Sequence, residues 1–204
     1  MNRNPDERQP VSRLFVRSPT GFRSRLGKVQ EVAALAFHVC TVKPAAVRKG
    51  KILGVVASFS IRPARRPDLP ALLALYGQLS ARNSADLQPA HLQAWEAVEA
   101  QPGLQVLVAE MEGQIVGTVT LALIPNLTRG ARPYGVVENV VTHAAYREQG
   151  IGRALLAEAE RLARAVKAYK VMLQSGASLP EAHAFYRRCG YAGETKRAFE
   201  KRWP

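Results

Sequence analysis

The sequence predicts an α+β domain over residues 58–204, preceded by a basic extension over residues 1–57. Three observations carry this. From about Val55 onward, short β-rich runs alternate with stretches whose apolar residues recur every three to four positions, the periods of strand and helix. Before that point no period is sustained. The charge divides at the same place: residues 1–57 hold 11 Lys/Arg against Asp6, Glu7 and Glu31, most of the excess behind the formal net charge of +13.

The elements follow in order. "VVASFSIRPA" reads as a strand ended by Pro63. "PDLPALLALYGQLSA" reads as a helix, with Asp68 as its cap, Pro70 in its first turn, and Leu69, Leu72, Leu73, Tyr76 and Leu79 on one face. "QPAHLQAWEAVEA" is a second short helix with Leu92, Trp95 and Val98 along one side. "LQVLVAEMEGQIVGTVTLALI" is a hairpin turning at Met111–Gln114. "YGVVENVVTHA" is nearly all apolar, as a central, buried strand would be. Gly150 to Val166 forms the long helix, turning Ile151, Leu155, Leu156, Ala159, Leu162, Ala163 and Val166 to the sheet, with Glu160 and Arg164 paired outside. "YKVMLQSG" is a strand, "PEAHAFYRRCG" a helix stopped by Gly190, and "YAGETKRAFEKRW" a closing strand. There is no internal repeat.

Composition narrows the class. No apolar run reaches the roughly 18 residues that span a bilayer. Cys40 and Cys189 have no metal or redox spacing, which points to a reducing, cytoplasmic compartment, no disulfide framework and no metal. The extension mixes Pro, Gly, Ser and Arg and reads as a flexible basic arm. It lacks interleaved aromatics on a readable scaffold, so nucleic acid is the lesser reading for its charge. Its apolar run Val32–Val42 lies too far from Met1 for a secretory signal.

The chemistry concentrates in "VENVVTHAAYREQGIGRALLAEAERLARA", Val137–Ala165. A strand runs through a turn into a helix, and the helix start carries unpaired N–H groups and the positive end of the macrodipole. Such a terminus receives anions. Gly150 and Gly152 free the backbone for close approach, and Arg147 adds positive charge. The turn suits a phosphate or pyrophosphate. It is not a P-loop, since Gly-Lys-Ser/Thr is missing, nor a dinucleotide fingerprint, since Leu155 stands where a third small residue belongs.

"REQGIG", Arg147–Gly152, fits in full the [RQ]-x-x-G-x-[GA] motif of the GNAT superfamily, the coenzyme-A-dependent N-acetyltransferases. "FSIRPA" with "PDLPAL", "VAEMEGQIVGTVTL" and "AHAFYRRCGY" resemble other landmarks of that family in the right order, over Ser58 to about Arg202. The resemblance implies a mixed, mostly antiparallel twisted sheet flanked by helices. It implies acetyl-CoA as co-substrate and no metal. It implies that Arg147, Glu148, Gln149, Gly150, Ile151 and Gly152 hold the pyrophosphate, and that Val140, Val141 and Thr142 pair with the pantetheine arm. It also admits a homodimer, common in the family.

Two residues stand out as catalytic candidates. Tyr186 matches the family's tyrosine that protonates the leaving thiolate; packing beneath the cofactor is the alternative. Glu138 is the one charge inside "GVVENVVTH", and a carboxylate in a buried strand needs a task or a partner. It either takes the proton an amine must lose and binds the acceptor, or pairs with a structural arginine. Glucosamine-6-phosphate N-acetyltransferases carry an acidic pair here; this chain has Asn139 second, which counts against that substrate. His143 and His183 are lesser candidates. Cys189 has no partnering His, so direct transfer in a ternary complex is expected rather than an acyl-cysteine. The leading function is acetyl transfer to a primary amine of a small molecule. The alternatives are a protein acetyltransferase, acting on N-termini or lysines, and an acyl-CoA-binding module without turnover. Arg129 and Arg132 in "NLTRGARP" raise the option of an acidic acceptor.

Overall fold

The computed structural model describes residues 40–42, 58–80 and 82–203. The basic arm expected over residues 1–57 lies outside these, apart from β1 (Cys40–Val42). The other strands are β2 (Phe59–Pro63), β3 (Leu104–Met111), β4 (Gln114–Ile124), β5 (Tyr134–Thr142) and β6 (Val171–Leu173). The helices are α1 (Leu69–Leu79), α2 (Pro89–Ala100), α3 (Ile151–Ala165) and α4 (Pro180–Arg188). The six strands lie in sequential order in one sheet. Every neighbouring pair is antiparallel except β5 and β6, which the α3 crossover makes parallel. The mixed, mostly antiparallel sheet is the one the sequence predicts.

Both faces of the sheet are covered, and β3 shows how. Its side chains alternate, so Val106 and Val108 face α1 and α2, packing with Leu69, Leu72 and Trp95. Leu107 and Ala109 point the other way, into a cluster with Val119, Leu121, Val137 and the α3 residues Ile151, Leu155, Leu156, Ala159 and Leu162. Each fully buried Leu contributes roughly 1.5–3 kcal/mol, so α3 is bound by the stripe its periodicity announces. The Glu160–Arg164 pair forms outside, at 3.1 Å. At the β3–β4 hairpin Glu112 and Gly113 both take positive φ, 50° and 77°, as a two-residue turn matching strand twist requires.

Three expectations are corrected. Leu75, not Leu79, completes the buried face of α1: Leu75 is 1% exposed and Leu79 49%. Asp68 sits at the N-cap of α1, but its side chain makes no capping hydrogen bond there. Its carboxylate turns back to receive the Arg65 N–H at 2.7 Å and a two-pronged contact from Arg62 at 2.7 and 2.9 Å. No strand follows α4 among the described residues. Gly190, at φ 90°, ends the helix. Beyond it Arg197 and Lys201 share one face with Phe199 and Trp203, so neither face offers a continuous apolar side to bury. Among the described residues no helix is long and apolar enough to cross a membrane.

Arg62 also donates to Glu110 on β3, at 2.6 Å, and so ties β2, β3 and the start of α1 together. Its hydrogen bond to Arg62 holds the Asp68 carboxyl below its ordinary range. A depressed carboxyl stabilises the fold above its unfolded pKa, and that stability is lost as pH falls through the folded value. Arg62→Ala is expected to cost about 2–3 kcal/mol, because two half-buried carboxylates lose their partner. Urea midpoints measured from neutral pH downward check this: the gap between variant and parent should shrink as Asp68 protonates.

Candidate active site

β5 and β6 separate partway along. Their ladder pairs Gly135 with Val171, Val136 with Met172 and Val137 with Leu173, and ends there. From Glu138 to Thr142 the far edge of β5 has no strand partner among the described residues. The cause lies in β5. Opposite β4 the register steps from Glu138↔Thr120 to Val141↔Thr118, so two β5 residues, Asn139 and Val140, oppose Val119 alone. This is a β-bulge, and Asn139 sits in it at φ 53°. Bulges bend a strand and re-aim its side chains. Asparagine tolerates the left-handed conformation better than most residues, so Asn139 has a backbone reason to be there. The sequence reading of β5 as buried throughout fails at this place: Glu138 and Asn139 are exposed.

Register fixes which way each residue points. Glu138 lies across from Thr120, which lies across from Val106; all three face α1 and α2. Val140 packs into the α3 cluster, and Val141 is 5% exposed against β4. The split thus opens toward both sides of the sheet.

The turn into α3 closes one end of it. Gly150 is the N-cap, at φ 83°, and a side chain added there would meet nothing within 4 Å. Its carbonyl accepts the Ala154 N–H at 3.0 Å. The N–H groups of Ile151, Gly152 and Arg153 have no intrahelical partner. Glu148 also has positive φ, 64°; the alternating handedness turns successive amides toward one concavity, an anion-binding geometry. Gly152 differs from Gly150. A Cβ there would lie 3.2 Å from the Phe185 ring and 3.3 Å from the Thr142 hydroxyl. Gly150 supplies a backbone conformation and open space, whereas Gly152 lets α4 and the end of β5 close on the helix. The sequence reading gave both glycines one purpose. Arg147 leans back on the Thr142 carbonyl at 3.5 Å, so its charge stays beside the turn. Gly117, 2.9 Å from the Ile151 side chain if given a Cβ, is a third contact glycine that no motif flags.

α4 brings Tyr186 to the α3 side of the sheet. Its ring tilts against Phe185, with centroids 5.3 Å apart, and meets Tyr191 edge-on at 6.2 Å. Burial, then the neighbouring Cys189 and Glu138, push its phenol above the ordinary value, so it keeps its proton at neutral pH. Glu138 has no ion pair or hydrogen bond with any described residue, so the structural-arginine alternative has no partner there. His143 accepts the Ala145 N–H at 3.2 Å and meets the Tyr146 ring edge-on; it serves the turn. His183 is tied to the Gly176 carbonyl at 2.8 Å. Burial raises the Cys189 thiol, which leaves it a poor nucleophile. Among the described residues no cluster of His, Cys, Asp and Glu is set to hold a metal ion.

A strand edge with no partner among the described residues runs into an open glycine turn with free amides, a geometry suited to an extended arm that ends in an anion. The model of the acetyltransferase (GNAT) family matches residues 69–191. The chain belongs to that family. It is 31% identical over 139 residues to a glucosamine 6-phosphate N-acetyltransferase of Trypanosoma brucei brucei, covering 67% of this chain and 90% of the relative. A putative acetyltransferase from Agrobacterium tumefaciens superposes with a TM-score of 0.68 at 42% identity, covering 71% of this chain and 99% of the other. An aminoglycoside N-acetyltransferase in complex with CoA superposes at 0.62 with 19% identity, covering 78% and 99%, a likeness of fold. This acyltransferase uses acetyl-CoA as donor.

The far side of the acetyltransferase's split is built from residues the sequence analysis did not single out as functional. α1 packs against β4 and β5, and burial raises the phenol of its Tyr76 above the ordinary value. Gln78 receives the Ala144 N–H at 3.0 Å, tying α1 to the turn after β5. The strand register, invisible in the sequence, puts Thr120 opposite Glu138. Arg132, which the sequence offered as a cation for an acidic acceptor, instead donates to the Lys167 and Ala168 carbonyls at 3.1 and 3.4 Å.

Proposed function

We propose that the enzyme moves an acetyl group from acetyl-CoA to a primary amine of a small molecule, by direct attack in a ternary complex. The observation that carries this is an exposed Glu138, with no partner among the described residues, and a protonated Tyr186 on the two sides of a split sheet edge. Residues 147–152 would hold the pyrophosphate, and Val140, Val141 and Thr142 would align the pantetheine arm along the free edge of β5. Bound acetyl-CoA supplies an acyl carbon activated as a thioester. Glu138 takes the proton the amine must lose as its nitrogen bonds to that carbon. Tyr186 gives its proton to the sulfur as the carbon–sulfur bond breaks, and is reprotonated from solvent. A phenol suits this, since a thiolate leaves more readily when protonated. The two proton carriers reach the centre from opposite sides of the sheet, so donor and acceptor need not share an entrance. A small amino-sugar acceptor agrees with the glucosamine 6-phosphate relative, and the cysteine usage agrees with a reducing, cytoplasmic setting.

Thiol release from acetyl-CoA with a panel of amines tests the reading. Acetylation of at least one small amine is expected; tight coenzyme A binding with no turnover would leave a binding module instead. Tyr186→Phe is expected to lower kcat about 10²-fold while coenzyme A affinity changes little. An unchanged kcat would reduce Tyr186 to packing. In the parent, the alkaline fall in kcat should lie above the ordinary phenol range of about 10.

A further inference from the structure

Tyr186 has no polar hold on its phenol. Its hydroxyl makes no hydrogen bond to any described residue, so its aim rests on what packs against the ring. Phe185 is one such neighbour, but as the preceding residue it moves with the same backbone. Tyr191 is the other aromatic, and it lies beyond the end of α4. It meets Tyr186 edge-on, with centroids 6.2 Å apart and planes at 69°, an arrangement aromatic pairs prefer.

What fixes Tyr191 is the way α4 ends. Gly190, at φ 90°, turns the chain back on the helix. The Gly190 N–H donates to the Arg187 carbonyl at 2.9 Å, and the Tyr191 N–H to the Tyr186 carbonyl at 3.0 Å. These are the two bonds of a Schellman motif, in which the residue after the glycine packs back on the last turn of the helix. Here the carbonyl it caps and the ring it touches belong to the same residue, Tyr186. Arg153, in the first turn of α3, donates to the Arg188 carbonyl at 3.4 Å, which pins the cap beside the Gly150–Gly152 turn. The Tyr191 hydroxyl is buried with no hydrogen-bond partner among the described residues, so the ring rather than the hydroxyl makes the contact. We propose that Tyr191 is a positioning residue for acetyl transfer: held by the Gly190 cap, its ring keeps the Tyr186 phenol aimed at the leaving sulfur. This rests on the reading of Tyr186 as the acid and adds what aims it.

A double-mutant cycle tests this. Tyr191→Leu keeps apolar bulk but loses the flat ring. It is expected to lower kcat about tenfold or more, the scale of a misplaced catalytic group, with the coenzyme A dissociation constant within about a factor of two. In a Tyr186→Phe background the same substitution should change kcat by less than about twofold, because no acid remains to be aimed. Tyr191→Phe keeps the ring and sheds only the unpartnered hydroxyl, and should retain at least about half of the parent's kcat. Burial is the largest cause raising the Tyr186 phenol, ahead of Cys189 and Glu138, and Tyr191→Leu leaves those two groups in place while uncovering the ring. The alkaline fall in kcat should therefore move to lower pH in that variant, a change that a loss of fold stability alone would not produce. The positioning role is overturned, with the acid reading untouched, if Tyr191→Leu keeps the parent's kcat, costs the same in both backgrounds, or leaves the alkaline limb in place. It is overturned likewise if Tyr191→Phe is as slow as Tyr191→Leu. If Tyr186→Phe alone keeps the parent's kcat, the acid reading falls and this inference falls with it.

Discussion

Glu138→Gln is expected to lower kcat by about 10²–10⁴-fold, the usual range for losing a positioned base, with coenzyme A affinity unchanged. The substitution keeps size and a hydrogen-bonding oxygen but removes the ability to take a proton. An acceptor amine is mostly ammonium at neutral pH, and only its free fraction then reacts. The variant's rate should therefore climb with pH through the acceptor's own titration, while the parent's flattens earlier. Stability should not move, because Glu138 is exposed and unpartnered by any described residue, and such sites shift stability by no more than about 0.5 kcal/mol. Steady-state kinetics from pH 6 to 10, with melting curves beside them, separate these effects. A fall of less than threefold would remove Glu138 from the chemistry and leave acceptor deprotonation to solvent.

How Glu138 could be picked out bears on what a sequence can reveal. Its oddity is local: one charge in an apolar run. The inference that it needs a task or a partner rested on burial, and the strand is exposed at that residue. The strand is buried at Val137 and Val141 but exposed at Glu138 and Asn139, where the bulge interrupts the ladder. A bulge leaves little mark in a single sequence, since Asn139 also reads as an ordinary polar residue. The α3 stripe was legible because one helix face meets one sheet face, which periodicity encodes directly. The proposed donor half of the site is equally local: motif, turn and helix start are contiguous in the chain.

The residues around Glu138, on the side proposed for the acceptor, come from across the chain. Tyr76 comes from α1, Thr118 and Thr120 from β4, and Glu138 from β5. Each looks unremarkable in its own element: Tyr76 as one more apolar-face residue, the two threonines as strand formers. Only the register Thr120↔Glu138 brings two of them together. The same limit explains the failed closing strand. Its residues suit a strand, but strand formation depends on a partner and a face to bury, neither of which is local. It also explains Asp68, a good capping residue by type, which Arg62 draws backward with a two-pronged ion pair.

Gly152→Val is expected to weaken coenzyme A binding by about 100-fold or more, and Gly150→Ala by about tenfold, for different reasons. At Gly152 even a methyl would crowd the Phe185 ring and the Thr142 hydroxyl, at 3.2 and 3.3 Å. Valine adds two more carbons where neither neighbour has room, an overpacking that costs about 1–3 kcal/mol or more. Relief requires α4 or the end of β5 to move. Either motion widens the split and shifts Tyr186, which follows Phe185 in the chain, so kcat should fall together with affinity. At Gly150 the space around a Cβ is open, and the penalty comes from φ 83°, about 1–2 kcal/mol for an L-residue. The turn then relaxes toward negative φ and its amides lose their common direction, while α4 stays in place. Affinity should fall with kcat at saturating acetyl-CoA largely preserved. Calorimetric titration with coenzyme A, paired with saturation kinetics, distinguishes the two. If Gly152→Val bound coenzyme A as the parent does, the turn would not be the pyrophosphate site. If Gly150→Ala lost kcat and affinity together, the division of labour between the two glycines would be wrong.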